Sequence, residues 1–208
     1  EEVIKNLSFA DEVIVIDDNS NDTTVELARK AGAKVFKREL GDNFSAQRNL
    51  GLNKAKGKWV LFLDADERVT PNLRDEIVQA VNNPLLNARG YFIKREDVLW
   101  GQKMKGGEFG KTWLLRLARK TAGKWTRNVH ETWNVDGETA KFKYPMVHKP
   151  HANLASFIES VNQNSTLHAK QNKLENKRSS IIKIILWPKM KFVKNLFFLG
   201  AARDGMTG

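Results

Sequence analysis

The stretch Trp59-Val60-Leu61-Phe62-Leu63-Asp64-Ala65-Asp66 decides the fold. Five apolar residues in a row, without alternation, predict a strand buried on both faces, the habit of parallel sheets covered by helices. The run stops at two carboxylates flanking a small residue, so the acids stand at the carboxyl end of that strand. Upstream, a helix is expected to open at Asn43 or Ser45, carry Gln47-Arg48-Asn49, run through Ala55 and close at Gly57. Lys34-Val35-Phe36-Lys37 reads as a short strand, and Thr23 to Ala31 as a helix capped by Asp22 and stopped by Gly32. Before these lies a second β-branched run, Val13-Ile14-Val15-Ile16, which ends at Asp17-Asp18-Asn19-Ser20-Asn21-Asp22. Downstream, Pro71 starts a helix to Val81 from the first helical position, where its missing N–H costs nothing. Alternating strands and helices predict an α/β fold with a doubly wound, mostly parallel sheet and helices on both faces. Ligands of such sheets bind at the carboxyl ends of the strands, where both acidic clusters sit.

Beyond residue 88 the rhythm changes to Tyr91-Phe92-Ile93, a glycine-rich stretch from Gly101 to Gly110, the strand-like Trp113-Leu114-Leu115-Arg116-Leu117, and a loop holding His130-Glu131, so this half reads as mixed sheet and loops. A polar helix is expected from Leu154 to about Asn176. An apolar segment follows from Ile181 to Leu199, interrupted by Trp187-Pro188. These features divide the chain into one domain over 1–152 and a helical, basic, amphipathic extension over 153–208.

The 208 residues carry 35 Lys+Arg against 24 Asp+Glu, a net charge of +11. From His168 onward, nine lysines and arginines face only Glu175 and Asp204, a net +7, which leaves +4 for the first 167 residues. The excess is interleaved with Ile, Leu, Trp and Phe, whereas a nucleic-acid footprint wants a solvated Lys/Arg face, so no nucleic-acid partner is expected. Apolar runs this short, broken by Pro188 and lysines, do not make a span of roughly 20 residues. They suit peripheral contact of 177–199 with an anionic membrane surface, with a helix packed on the domain or in an oligomer as the alternative. With no cysteine, disulfides and thiolate metal sites are excluded. The opening residues predict a helix rather than a leader.

Two carboxylates spaced as Asp64 and Asp66 can reach one hard cation, and Mg²⁺ or Mn²⁺ held this way completes its shell with phosphate oxygens and water. A lone Asp-x-Asp is equally a solvated, helix-capping loop. Here it follows Asp17-Asp18-x-Ser-x-Asp22 and Gln47-Arg48-Asn49, and precedes Glu67-Arg68 and Val129-His130-Glu131. In this order the motifs resemble family 2 glycosyltransferases of the GT-A fold, and within them bacterial enzymes similar to lipopolysaccharide-core β-glycosyltransferases.

The resemblance implies an inverting, metal-dependent transfer from a nucleotide-diphospho-sugar, UDP-sugars foremost, to a glycan or lipid-linked acceptor in cell-envelope synthesis. It implies a cytoplasmic protein peripheral to the inner face of the membrane. Asp17 is expected on the nucleobase, with Asp18 assisting or capping the turn. Arg48 is expected near the base or diphosphate, or else on a plain helix surface; Asp64 would neighbour the ribose or metal. Asp66 becomes the metal ligand, His148 a third ligand or a structural histidine, and Glu131 the general base. Trp100 and the glycine-rich stretch suit a mobile acceptor lid. The family's usual first apolar strand and Asn-Glu turn do not precede Glu1, and Gly200 to Gly208 stops within a familiar motif, so both termini are expected to be incomplete. A nucleotidyltransferase is the rival enzyme, and it predicts a glycine-rich triphosphate loop that the sequence does not show. A non-catalytic basic binding module is the other rival.

Overall fold

A computed structural model describes residues 1–83, 85–151 and 153–207. Ala152, at the expected domain boundary, and Gly208, which closes the terminal motif, lie outside the described residues. The helices are α1 (Glu2–Asn6), α2 (Thr24–Lys30), α3 (Phe44–Lys54), α4 (Pro71–Asn82), α5 (Leu154–Leu174) and α6 (Ile181–Val193). The strands are β1 (Ile14–Asp17), β2 (Lys34–Lys37), β3 (Trp59–Leu61), β4 (Glu67–Val69), β5 (Gly90–Leu99), β6 (Gln102–Lys103), β7 (Trp113–Arg119), β8 (Gly123–Thr126), β9 (Thr132–Val135), β10 (Thr139–Lys141) and β11 (Met146–His148).

The α/β class is the one expected, and the strand pairing is mixed. β1 and β2 pair in parallel, with Ile14 opposite Lys34 and Asp17 opposite Lys37. A seven-stranded sheet runs β3-β7-β5-β11-β4, with β10 and β6 also on β5. Within it β10 lies parallel to β5, whereas β7 is antiparallel to β3, Leu61 facing Leu117. The antiparallel partner of β3 comes from the half beyond residue 88, which the sequence reads as mixed sheet and loops.

Contacts group the residues into two compact units, 1–93 with 114–146 and 94–113 with 147–208, so that the glycine-rich stretch groups with the C-terminal segment. In the first unit, α4 shows how local chemistry sets an element. Pro71 opens it, the Thr70 side chain accepts from the Leu73 N–H, and Leu73, Ile77 and Ala80 recur at helical steps on the buried face. They pack with Val69, Ile93, Leu117, Phe142 and Met146. A second cluster joins Leu52 of α3 to Ala118, Trp125 and Trp133. Asn43 caps α3, accepting from the Ala46 N–H at 2.9 Å.

In the second unit β5 turns into β6 through Trp100-Gly101. Both residues have positive φ (49° and 84°), the pairing that a tight hairpin of right-handed twist requires. The following residues are not a free loop. The buried Asp204 carboxylate accepts from the backbone N–H of Lys105 at 3.0 Å and of Gly106 at 2.7 Å. Gly106 sits so close to the chain at Gly200 that a Cβ would lie 2.1 Å from the Gly200 carbonyl oxygen.

Helix α6 continues through Pro188, where the sequence suggests a break. The ring holds φ near the helical value and forfeits the one bond to the carbonyl of Ile184, on a helix whose residues are all exposed and whose freed carbonyl water can serve. No helix among the described residues is long and apolar enough to cross a membrane.

Candidate active site

The site grows from the end of β3. Beyond Leu61 the ladder with β7 continues as the Phe62 N–H donates to the Arg116 carbonyl at 2.8 Å, which brings Arg116 alongside the acids that follow. Arg116 is 4 % exposed, and its Nη2 donates to Asp64 Oδ2 at 2.6 Å and to Glu67 Oε1 at 2.7 Å. The second Glu67 oxygen accepts from the Asp64 backbone N–H at 2.9 Å, and the Glu67 N–H donates back to the Asp64 carbonyl at 3.0 Å. The turn is thus closed on itself around a fully buried glutamate.

Asp64 also meets Arg48 of α3, whose Nη2 donates to Oδ1 at 2.9 Å. The Nε of the same guanidinium donates to Glu131 Oε1 at 2.6 Å. Glu131, Arg48, Asp64, Arg116 and Glu67 therefore form one chain of alternating charge. Arg48 is steadied further by the face of Trp125, 4.8 Å from its guanidinium carbon. Trp125 stacks on its cross-strand partner Trp133, and Phe62 meets both edge-on. Asn49, next to Arg48, locks α3 to β8: its Nδ2 donates to the Trp125 carbonyl at 2.9 Å, and the Trp125 N–H donates to its Oδ1 at 3.0 Å.

Burial would raise both acids, and the arginines decide the outcome differently. For Asp64 the burial cost is overcome by the charges of Arg116 and Arg48, and its pKa is held down to about 2. For Glu67 burial dominates over the attraction of Arg116, the negative charge of Asp64 adds to it, and the pKa is raised.

Glu131 lies in the loop from β8 to β9. Val129 is buried there, and Arg127 and His130 take positive φ (69° and 54°), a conformation costly for residues other than glycine. That backbone presents Glu131 to Arg48.

At the end of β1 the acids are held by backbone instead. Asp17, 4 % exposed, accepts from the Ser20 N–H at 3.1 Å, and Asp18 accepts from the Leu40 N–H at 2.8 Å. Asp66 occupies the turn between β3 and β4 and is half-buried. In the other unit, buried His148 uses Nδ1 to meet the fully buried Asp97, which Arg95 also contacts at 3.0 Å.

Of the residues singled out in the sequence, the structure joins Arg48, Asp64 and Glu131 directly. Asp17 and Asp18 form their own backbone-held turn. Two members of the ion chain, Arg116 and Glu67, carry no role in the sequence reading. A charged residue inside the apolar run Trp113-Leu114-Leu115-Arg116-Leu117 was the available signal, since a buried strand tolerates arginine only beside a carboxylate.

The family model of glycosyl transferase family 2 matches residues 1–135. This chain belongs to glycosyl transferase family 2. Among curated relatives, a TPR repeat-containing protein of Synechococcus elongatus is 38% identical over 92 residues, covering 44% of this chain and 22% of that protein. The lipopolysaccharide core biosynthesis glycosyltransferase LpsC of Rhizobium meliloti is 26% identical over 99% of this chain and 78% of its own length. The chain thus spans about a fifth of the first relative and most of the second. A crystal structure of S. aureus TarS 1-349 superposes with a TM-score of 0.50 at 16% identity, over 80% of this chain and 60% of that one, and shares the GT-A fold.

Proposed function

We propose that the chain catalyses inverting transfer of a sugar from a nucleotide-diphospho-sugar, a UDP-sugar foremost, to a hydroxyl of a glycan or lipid-linked acceptor. The observation that carries this reading is Arg48 holding Glu131 and Asp64 at once, so that the loop acid and the strand-end acid motif are one structural unit. Glu131, braced by the Arg48 guanidinium, takes the proton of the acceptor hydroxyl. As that oxygen bonds to the anomeric carbon from one face, the bond to the donor phosphate breaks on the other, and the nucleoside diphosphate departs with the electron pair. Asp17 has one oxygen engaged by its own turn and offers the other to a base N–H, with Asp18 holding the neighbouring loop at Leu40.

The residues fit a divalent ion of the Mg²⁺ or Mn²⁺ class. Such ions are held by one or two carboxylates plus substrate phosphates, and need no larger protein cage. Both oxygens of Asp64 face arginines, so Asp64 orders the turn in which Asp66 would hold the ion. When bound, the ion would neutralise charge on the leaving diphosphate. Among the described residues no group of three or more His, Cys, Asp or Glu could hold an ion unaided.

The printed name of LpsC supports an acceptor in the cell envelope. All of α6 is exposed, including Ile181, Ile182, Trp187 and Phe192, interleaved with Lys183, Lys189 and Lys191. An exposed apolar surface of this size, flanked by lysines, supports peripheral attachment of 177–199 to a membrane surface, and the inner face of the cytoplasmic membrane is our proposal for which one.

Calorimetry with UDP and Mn²⁺, alongside transfer assays, tests the assignment. Glu131→Gln is expected to keep nucleotide binding and to lose transfer by about 10²–10⁴-fold, the usual worth of a general base. Asp66→Ala is expected to lose the metal-dependent part of nucleotide binding. Normal turnover by Glu131→Gln would remove it from the role of base.

A further inference from the structure

Within the second unit a cavity of about 240 Å³ opens where the residues after β6 meet the turn that follows α6. Three cations line it, Lys105, Lys111 and Arg203, together with Phe197 and Phe198. Among the described residues no carboxylate pairs with any of the three. The nearby acids are committed elsewhere: Asp204 is 2 % exposed and consumed by the backbone N–H groups of Lys105 and Gly106, and Glu108 pairs with Lys191 at 3.1 Å. Three like charges around one small space repel, and an anion between them converts that repulsion into charge-assisted hydrogen bonds.

The walls are built rather than incidental. The Gly107 N–H donates to the Leu199 carbonyl at 3.1 Å, Gly106 abuts Gly200 at a distance only glycine permits, and the Asp204 carboxylate holds the Gly106 N–H. At the rim Phe197 and Phe198 are 71 % and 79 % exposed, and they continue the exposed apolar surface of α6. The volume falls below the roughly 300–1,000 Å³ of sites that enclose whole small ligands, and so suits a headgroup-sized fragment.

We propose that this cavity receives the phosphate monoester headgroup of a membrane lipid. Lys105, Lys111 and Arg203 would bind the phosphate, and the two phenylalanines would lie against the attached chains. A monoester carries about −1.5 to −2 charges near neutral pH and matches three cations better than a singly charged diester does. The proposal rests on the reading that 177–199 lies on a membrane surface, and it adds selectivity for one headgroup chemistry.

The test is vesicle flotation of the full chain with phosphatidylcholine vesicles containing either phosphatidic acid or phosphatidylglycerol, matched in surface potential. The expected result is tighter binding to phosphatidic acid. Lys111→Gln and Arg203→Gln should each weaken that binding about fivefold, the factor for one basic residue at an anionic surface, and together should bring the ratio between the two vesicle types to unity. Trp187→Ala with Phe192→Ala should weaken both without changing the ratio. Circular dichroism checks that every variant is folded. Equal binding by the wild type, or a ratio that survives in the double variant, overturns the headgroup site while leaving membrane attachment standing. Absence of binding to any vesicle overturns attachment and the site together. A melting temperature raised by inorganic phosphate only when Lys111 and Arg203 are present, without vesicle preference, assigns the cavity to a soluble anion and overturns the lipid.

Discussion

At the end of β1, Asp17 and Asp18 accept hydrogen bonds from the backbone at Ser20 and Leu40, whereas at the end of β3 both oxygens of Asp64 face arginines and Glu67 shares one of them. The two ends use the same residue type after the same kind of apolar strand. The first is a turn that could be rebuilt with any short acceptor, and Asp17 keeps an oxygen for a ligand. The second is an electrostatic assembly whose members depend on one another, because Glu67 and Arg116 are buried together and Asp64, half-exposed, ties that pair to Arg48. Backbone-held carboxylates are therefore expected to tolerate neutral isosteres, and arginine-held carboxylates to resist the loss of their counter-charge.

The largest effect expected from breaking this contrast is that of Arg116→Leu. It strands Glu67, which is fully buried, and half of the Asp64 carboxylate, and it should destabilise the fold by about 3–5 kcal/mol in urea titration. Adding Glu67→Gln should restore part of the loss, since the amide can still accept from the Asp64 N–H. A loss below about 1 kcal/mol, the scale of an exposed pair, would show that the assembly is not electrostatic.

Next in size, Asp17→Ala leaves the Ser20 N–H without its acceptor and should cost about 1–3 kcal/mol. Asp17→Asn keeps an acceptor and should leave stability nearly unchanged while lowering nucleotide affinity in calorimetry. If Asp17→Asn binds UDP like the wild type, Asp17 is a turn residue and nothing more.

A smaller effect is expected in acid. Asp64 has a folded pKa of about 2 against an ordinary value of 3.8, so its contribution is present above the ordinary value and is lost as pH falls toward about 2. Its side chain is 40 % exposed, which moderates the size. Glu67 runs the other way: its raised pKa costs stability as pH rises through the ordinary 4.5. The stability of the wild type should thus fall more steeply between pH 3.8 and about 2 than that of Asp64→Asn, and parallel curves would remove the arginines as the cause. The smallest effect is that of Asp18→Ala at its exposed hydrogen bond to Leu40, expected near 0.5–1 kcal/mol by thermal melting.

The elements around the site were largely legible. β2 matches its predicted span of residues 34–37, α3 begins at the expected Asn43 cap, and α4 begins at Pro71. Capping, proline placement and uninterrupted apolar runs are local signals that a single chain states directly. The motif order also marked Arg48, Asp64 and Glu131 as neighbours in function, and they are neighbours in space. What escaped was Arg116, and with it the commitment of Asp64 to two guanidinium groups. It escaped because its place inside an apolar run signals a nearby carboxylate without saying which, and its partners lie 52 and 49 positions away. The fate of the glycine-rich stretch after β6 escaped for a related reason. Its glycines suggest freedom, and here Gly106 serves close approach to Gly200 under the hold of Asp204, 98 residues on.

The sequence by itself determined where strands end in acid, where helices begin, and that the basic excess is mixed with large apolar residues. Each follows from a few consecutive side chains. Only the tertiary structure decided that β7 runs antiparallel beside β3, and hence that Arg116 meets Asp64 from 52 positions away and Arg48 meets Glu131 from 83. It also decided that the pKa of Asp64 is held down while that of Glu67 is raised. Burial raises any carboxylate, and the outcome depends on how many cations reach it, a property of strand order and register that residue pattern alone leaves open.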